Sequence, residues 1–291
     1  MYNVSMFYPH SLSSPLVKQL AIFLLMICSM AVNADPAKFF ANHELQSKSG
    51  SAFALTESNQ AWLVKAHQQR EQDAQRFVDA LRAIPELSKQ LSQWSKLSFD
   101  DRMKLLPAVF EVECQVLDME CPELVINNTL YPTRPVNFVF DMNNPGSGLV
   151  YLNPDKLKAM EPYAPLAFLI HETRHAYQFQ LAFDAQSLLA KGYKSAFTAQ
   201  STLSGLSFSD FLTLLNEYEA FQFGNHVIGL LYDWHVDMPM MGTFASQFDR
   251  HGHLKIDLVA LANQQQKSKT LLNKYNEKAQ VQYDLRSKGK Q

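Results

Sequence analysis

Residues 171–178 read His171-Glu172-Thr173-Arg174-His175-Ala176-Tyr177-Gln178, two histidines four residues apart with a glutamate directly after the first. On a helix, positions four apart lie one above the other on the same face, so both imidazoles can address one point while Glu172 flanks it. That is the donor set of a zinc hydrolase: two nitrogen ligands beside a carboxylate able to take a proton from water. With 9 His and 28 Asp plus Glu in 291 residues, chance supplies only about 0.03 such patterns, so the flanking sequence has to decide the reading.

The flanks predict a buried helix. Pro165 suits a first helical position, where its missing amide proton is not needed, and Leu166, Phe168, Leu169, Ile170, Ala176, Phe179 and Leu181 follow. At 100° per residue this helix is apolar nearly all round, apart from one stripe carrying His171, Arg174, His175 and Gln178, with Glu172 at its margin. A plain core helix whose histidines bond to neighbours is the alternative; the pair together with Glu172 favours a metal.

A third ligand must come from elsewhere, because zinc in a hydrolase keeps its fourth position open for water. The segment Asn216-Glu217-Tyr218-Glu219-Ala220-Phe221-Gln222-Phe223-Gly224 offers two carboxylates. Ala220 and Gly224 share the face of Glu217, and small residues there would let this helix approach the histidine helix closely. Glu217 is therefore the expected third ligand and Glu219 the second choice.

The pair of motifs, His-Glu-x-x-His followed by Glu-x-x-Ala on a later helix, resembles the gluzincin group of zinc metallopeptidases. Residues 171–178 are also similar to bacterial metallopeptidases that carry a His-Glu-x-x-His-Ala-x-Gln signature. The resemblance covers about seventeen residues. It implies a zincin-like catalytic domain, with His171, His175 and Glu217 as ligands and Glu172 as base. One departure stands out: many gluzincins place Asp or Asn directly after the Ala, where it orients a ligating histidine, and this chain has Phe221.

The chemistry expected is peptide-bond hydrolysis, with zinc acidifying a water and Glu172 moving its proton to the leaving amine. Tyr232, His235 and Arg174 are the candidate donors to the developing oxyanion. Two other readings are open: a di-iron carboxylate protein, for which a second Glu-x-x-His is missing, and a non-catalytic zincin-like binding or structural protein of the cell envelope.

An uncharged run from Gln19 to Ala34, ending in Val32-Asn33-Ala34, reads as a signal peptide over residues 1–34, so the expected location is periplasmic or secreted. Cys28 lacks the small residue that normally precedes a lipidated cysteine. The other cysteines, Cys114 and Cys121, are then expected to form a disulfide. A formal net charge of −2 offers no footprint for nucleic acid, and no stretch after residue 34 is apolar enough to span a bilayer. The expected partner is a peptide or protein substrate.

Residues 35–60 are polar and weakly patterned. Helical patterns follow over 61–84, 85–97 and from a Ser98 cap through Val112, with Pro107 a possible bend. Residues 135–140 and 149–153 read as two strands around an Asn-Pro-Gly turn, a hairpin just before the zinc helix. Leu149 and Tyr151 are taken as the edge that holds extended substrate. Residues 195–209, rich in Ser, Thr and Gly, are expected to form a loop over the cleft. The fold class is therefore α+β, mainly helical: an N-terminal helical region over 35–125, a zincin-like domain over 126–263 with a small sheet, and a polar helix or tail over 264–291.

Overall fold

The computed structural model describes residues 40–184, 186–264 and 269–288. The expected signal segment, Cys28 and the cleavage-like end before Asp35 lie outside the described residues. The chain is mainly helical with one small sheet, and among the described residues no helix is long and apolar enough to cross a membrane.

Helices α1 (Gln60–Arg82), α2 (Pro85–Ser92) and α3 (Phe99–Leu117) come first. Their starts are local chemistry: α2 opens on Pro85, and Ser98 Oγ accepts the Asp101 amide at the head of α3, with Asp100 and Asp101 in the first turn. Helix α3 runs through Pro107 and stops where Asp118 turns into the left-handed region, at φ 50°. A disulfide joins Cys114 to Cys121 just past that end, as expected.

Strands β1 (Glu123–Ile126), β2 (Val136–Val139) and β3 (Leu149–Leu152) form a sheet in the order β1-β3-β2. β2 and β3 are the expected antiparallel hairpin, while β1 pairs parallel to β3 and was not anticipated. Both edges of β3 are therefore occupied, which rules out Leu149 and Tyr151 as a strand open to substrate. The sheet's edges belong to β1 and β2. Because Asn153 N donates to Pro135 O at 2.8 Å, the alternation of an antiparallel ladder turns the backbone groups of Val136 and Phe138 outward.

Helices α4 (Ala164–Asp184), α5 (Leu188–Thr202), α6 (Leu215–Leu231) and α7 (Leu271–Lys288) complete the architecture. Helix α4 is the centre: it packs against α3, α5, α6 and the sheet, and α6 packs against α1 on its other side. That position explains why α4 is apolar on nearly every face. Residues 195–202 belong to α5 and not to a loop, because Ala196, Phe197 and Ala199 give that segment a buried helical face. The segment 40–60 also packs: Ala52, Phe53, Ala54 and Leu55 are buried, with Phe53 bridged to Leu214. One hydrophobic cluster takes residues from both sides of position 126.

Glu113, on α3, is fully buried and neither carboxyl oxygen has a hydrogen-bond partner. Burial pushes its pKa well up, against the pull of Arg174. The folded state thus keeps a proton that the unfolded chain releases above about pH 4.3, and stability falls as pH rises from there toward the folded value. Glu113→Gln is expected to remove this contribution. Its melting temperature relative to wild type should climb as pH rises from 4 to 7, and parallel melting curves across that range would refute the assignment.

Candidate metal centre

His171, Glu172 and His175 sit in the middle of α4, and each presents a donor atom within 4.8 Å of the other two. Glu217, in the first turn of α6, comes closer still: its Oε2 lies 3.5 Å from His171 Nε2 and 3.3 Å from His175 Nε2, while the two Nε2 atoms are 3.0 Å apart. Position 224, on the same face of α6, needs only a small residue for this approach. A methyl group there would stand 3.4 Å from the Ala167 carbonyl oxygen and 3.9 Å from His171 Cβ.

These separations provide a test of fit. Donors at about 2.0–2.1 Å from a tetrahedral zinc ion stand about 3.3 Å from one another, and the three edges observed are 3.0, 3.3 and 3.5 Å. Charge supplies a second test. Two carboxylates and two imidazoles are buried together, so the site calls for positive charge. Left to themselves the groups meet that need with a proton. Burial opposes it, but Glu217 and Glu172 lift the His175 pKa to about 9, and the two histidines draw Glu217 down to about 2 against the same desolvation. His171, desolvated and beside His175, drops to about 4. A divalent cation meets the same need, and the residues fit one.

The layer behind the donors fixes their orientation. Glu219 can only accept hydrogen bonds, so it dictates which end of the Gln178 amide faces it. Gln178 Nε2 donates to Glu219 Oε2 and to the Asn216 carbonyl, leaving Oε1 to accept from His175 Nδ1 at 2.9 Å. With one proton committed on Nδ1, His175 turns its Nε2 toward Glu217 and His171. A second one-way chain begins at Glu217. Its Oε1 accepts from Gln200 Nε2 at 3.2 Å, which turns Gln200 Oε1 toward Asn216 Nδ2 at 2.8 Å. Asn216 Oδ1 is left as a buried acceptor with no partner.

His171 is supported differently. The Phe221 ring lies 4.0 Å from its ring at an interplanar angle of 34°, and its polar support besides Glu217 is the backbone of Ala220, not a side chain. Where a polar orienter was expected, a ring holds the imidazole by contact. Glu172 is fully buried; desolvation and neighbouring Glu217 raise its pKa to about 7, against the pull of His175, the Phe138 backbone amide and Arg134.

Other sequence candidates lie elsewhere. Glu219 is not beside the imidazoles: it receives Arg174 Nη2 at 2.7 Å, and Arg174 Nη1 reaches Asp73 on α1 at 2.9 Å. Arg174 is wholly buried between Tyr177 and Phe223, so it is a structural cation and does not face the donors. Tyr232 donates to the Leu91 carbonyl and meets Tyr163 edge-on, and neither it nor exposed His235 lines the cleft over the histidines. The sequence reading missed the roles of Gln200 and Asn216. Asn216, directly before Glu217, was the available signal.

A small, partly open cleft lies over the centre, with His171, Glu172, His175 and Glu217 in its lining. No known family's sequence profile matches the chain, and neither does any curated protein or solved structure.

Gln178→Leu keeps the volume of the side chain and deletes the bond to His175. Zinc affinity, measured by competition with a chromophoric chelator, is expected to fall about 10- to 100-fold with the fold intact. Unchanged affinity would show that His175 needs no such support.

Proposed function

We propose that the protein is a zinc-dependent peptidase of zincin-like design, in which His171, His175 and Glu217 hold the metal and Glu172 is the general base. The observation that carries this reading is the near-tetrahedral spacing of three buried donors beside a fourth group, the Glu172 carboxylate, in the lining of a small cleft. Glu217 is preferred to Glu172 as third ligand because its oxygen stands nearer both imidazoles and because a glutamate adjoining His171 in sequence cannot reach the same point with good geometry. Zinc bound there would supply Lewis acidity, acidifying water and polarising a carbonyl.

The residues of this chain do the rest. Glu172, with a pKa lifted to about 7, can accept a proton near neutrality and return it to a leaving amine. The Phe138 amide steadies the Glu172 carboxylate from the open edge of β2. That edge is the place where an extended peptide could add its backbone, a role assigned to β2 in place of β3. The aromatic surroundings of the donors limit water and so strengthen the charge interactions among them.

The protein purified with its metal is expected to contain about one zinc per chain by elemental analysis. Glu172→Gln should keep that zinc and lose peptide hydrolysis by several orders of magnitude, measured on a peptide library read by mass spectrometry. Hydrolysis at the wild-type rate would remove Glu172 from the mechanism. A protein whose Glu217→Ala variant binds zinc as wild type does would remove Glu217 from the ligand set.

A further inference from the structure

Away from the cleft, Asp249, His251 and His253 meet at the tip of a tight turn. Phe248 bridges antiparallel to Leu254, Asp249 N donates to the His253 carbonyl at 2.8 Å, and Gly252 N donates to the Asp249 carbonyl at 3.1 Å. Asp at the first position and Gly at the fourth suit such a turn, and Gly252 takes up the left-handed region, at φ 79°. A Cβ at 252 would stand 2.8 Å from Trp234 Cε2, so the turn rests on the indole. The backbone that carries the two histidines is thus fixed from within and from below, while both imidazoles are exposed.

The same bonds divide the Asp249 carboxylate. Its Oδ1 accepts the His251 amide at 2.8 Å and the His253 amide at 3.0 Å, and Oδ2 is left 3.7 Å from His253 Nδ1. Arg250 Nε, which can only donate, reaches His251 Nε2 at 3.3 Å, so that nitrogen offers a lone pair. A long bond at the surface is a weak competitor for it.

The spacing is close to what one ion requires. Two imidazoles on a tetrahedral ion place their ring centroids about 5 Å apart. The rings of His171 and His175 stand at 4.5 Å, and those of His251 and His253 at 6.4 Å. Rotation of exposed side chains on a fixed backbone closes a gap of about 1–2 Å. Imidazole and carboxylate together suit the late first-row divalent ions, of which copper(II) binds such donors most tightly.

We propose that Asp249, His251 and His253 form a second metal site, exposed and separate from the buried centre, that takes a late first-row divalent cation, copper(II) ahead of nickel or zinc. Residues 249–253 supply every donor, so binding requires no change of fold.

The test reads the site in the whole protein. Tag-free protein preincubated with zinc is titrated with copper(II) and followed by electron paramagnetic resonance, with its zinc content measured before and after. Wild type is expected to take up copper with hyperfine lines from two imidazole nitrogens, and its tryptophan emission to fall as copper(II) quenches the neighbouring Trp234. His251→Gln, His253→Gln and Asp249→Asn are each expected to weaken copper binding at least about 10-fold, since loss of a ligand costs no less than loss of its support. Asp249→Asn keeps an acceptor for the two amides and removes only the second carboxylate oxygen, so the turn itself is preserved. His235→Gln, which deletes an exposed histidine outside the turn, should change nothing. No uptake of copper, affinity unchanged in any of the three turn variants, or an equal loss in His235→Gln would overturn the proposal. Copper that displaces the zinc and persists in the turn variants would belong to the buried centre and overturn it as well.

Discussion

The buried ion pair of Arg174 with Glu219 and Asp73 is the constraint on which the centre depends. It ties α4, α6 and α1 together at one point. Arg174 directly precedes His175, and Glu219 lies two residues after Glu217, so the clamp sets the register of the two motif helices. With that register fixed, Glu217 meets both imidazoles and Glu219 reaches Gln178. Breaking one partner of such a pair leaves a charge buried without compensation, which is costly in proteins generally at about 3–5 kcal/mol. The guanidinium is further enclosed by Tyr177 and Phe223.

Around the clamp, acceptor-only carboxylates impose direction on amides. Glu219 orients Gln178, which selects the tautomer of His175; Glu217 orients Gln200, which orients Asn216. Two charged ends therefore decide the arrangement of four polar side chains. The packing does the complementary work, since a small residue at 224 admits α6 and a sheet beneath α4 carries the Phe138 amide to Glu172.

Much of this could be read in the sequence, for physical reasons that differ by residue. The histidine helix and the choice of Glu217 over Glu219 follow from helical periodicity, which is a local property. The Ser98 cap, the hairpin and the cysteine pair were equally local. Partnerships that depend on distant segments were not legible. Arg174 sits on the same helical stripe as the histidines, and only the position of Asp73, 101 residues away, shows that it turns from them. Tyr232 was placed at a plausible distance in sequence and finds Leu91 instead. The open strand was misassigned because β1, short and half-buried, gives little alternation, yet its pairing is what closes β3. Residues 40–60 look unpatterned because they fold into one α-helical turn and two 3-10 turns too short to show a period in their burial.

Phe221 makes the two imidazoles unequal. His175 is anchored by a bond to Gln178, which Glu219 reinforces, whereas His171 is held on its far side by a ring and has only the Ala220 backbone as a polar support. For any cation held between them, His175 is the more basic donor and His171 the one that departs first when a competing chelator arrives. Were a cation held there, its exchange would open on the side of Phe221, and the ring would set how quickly it came and went.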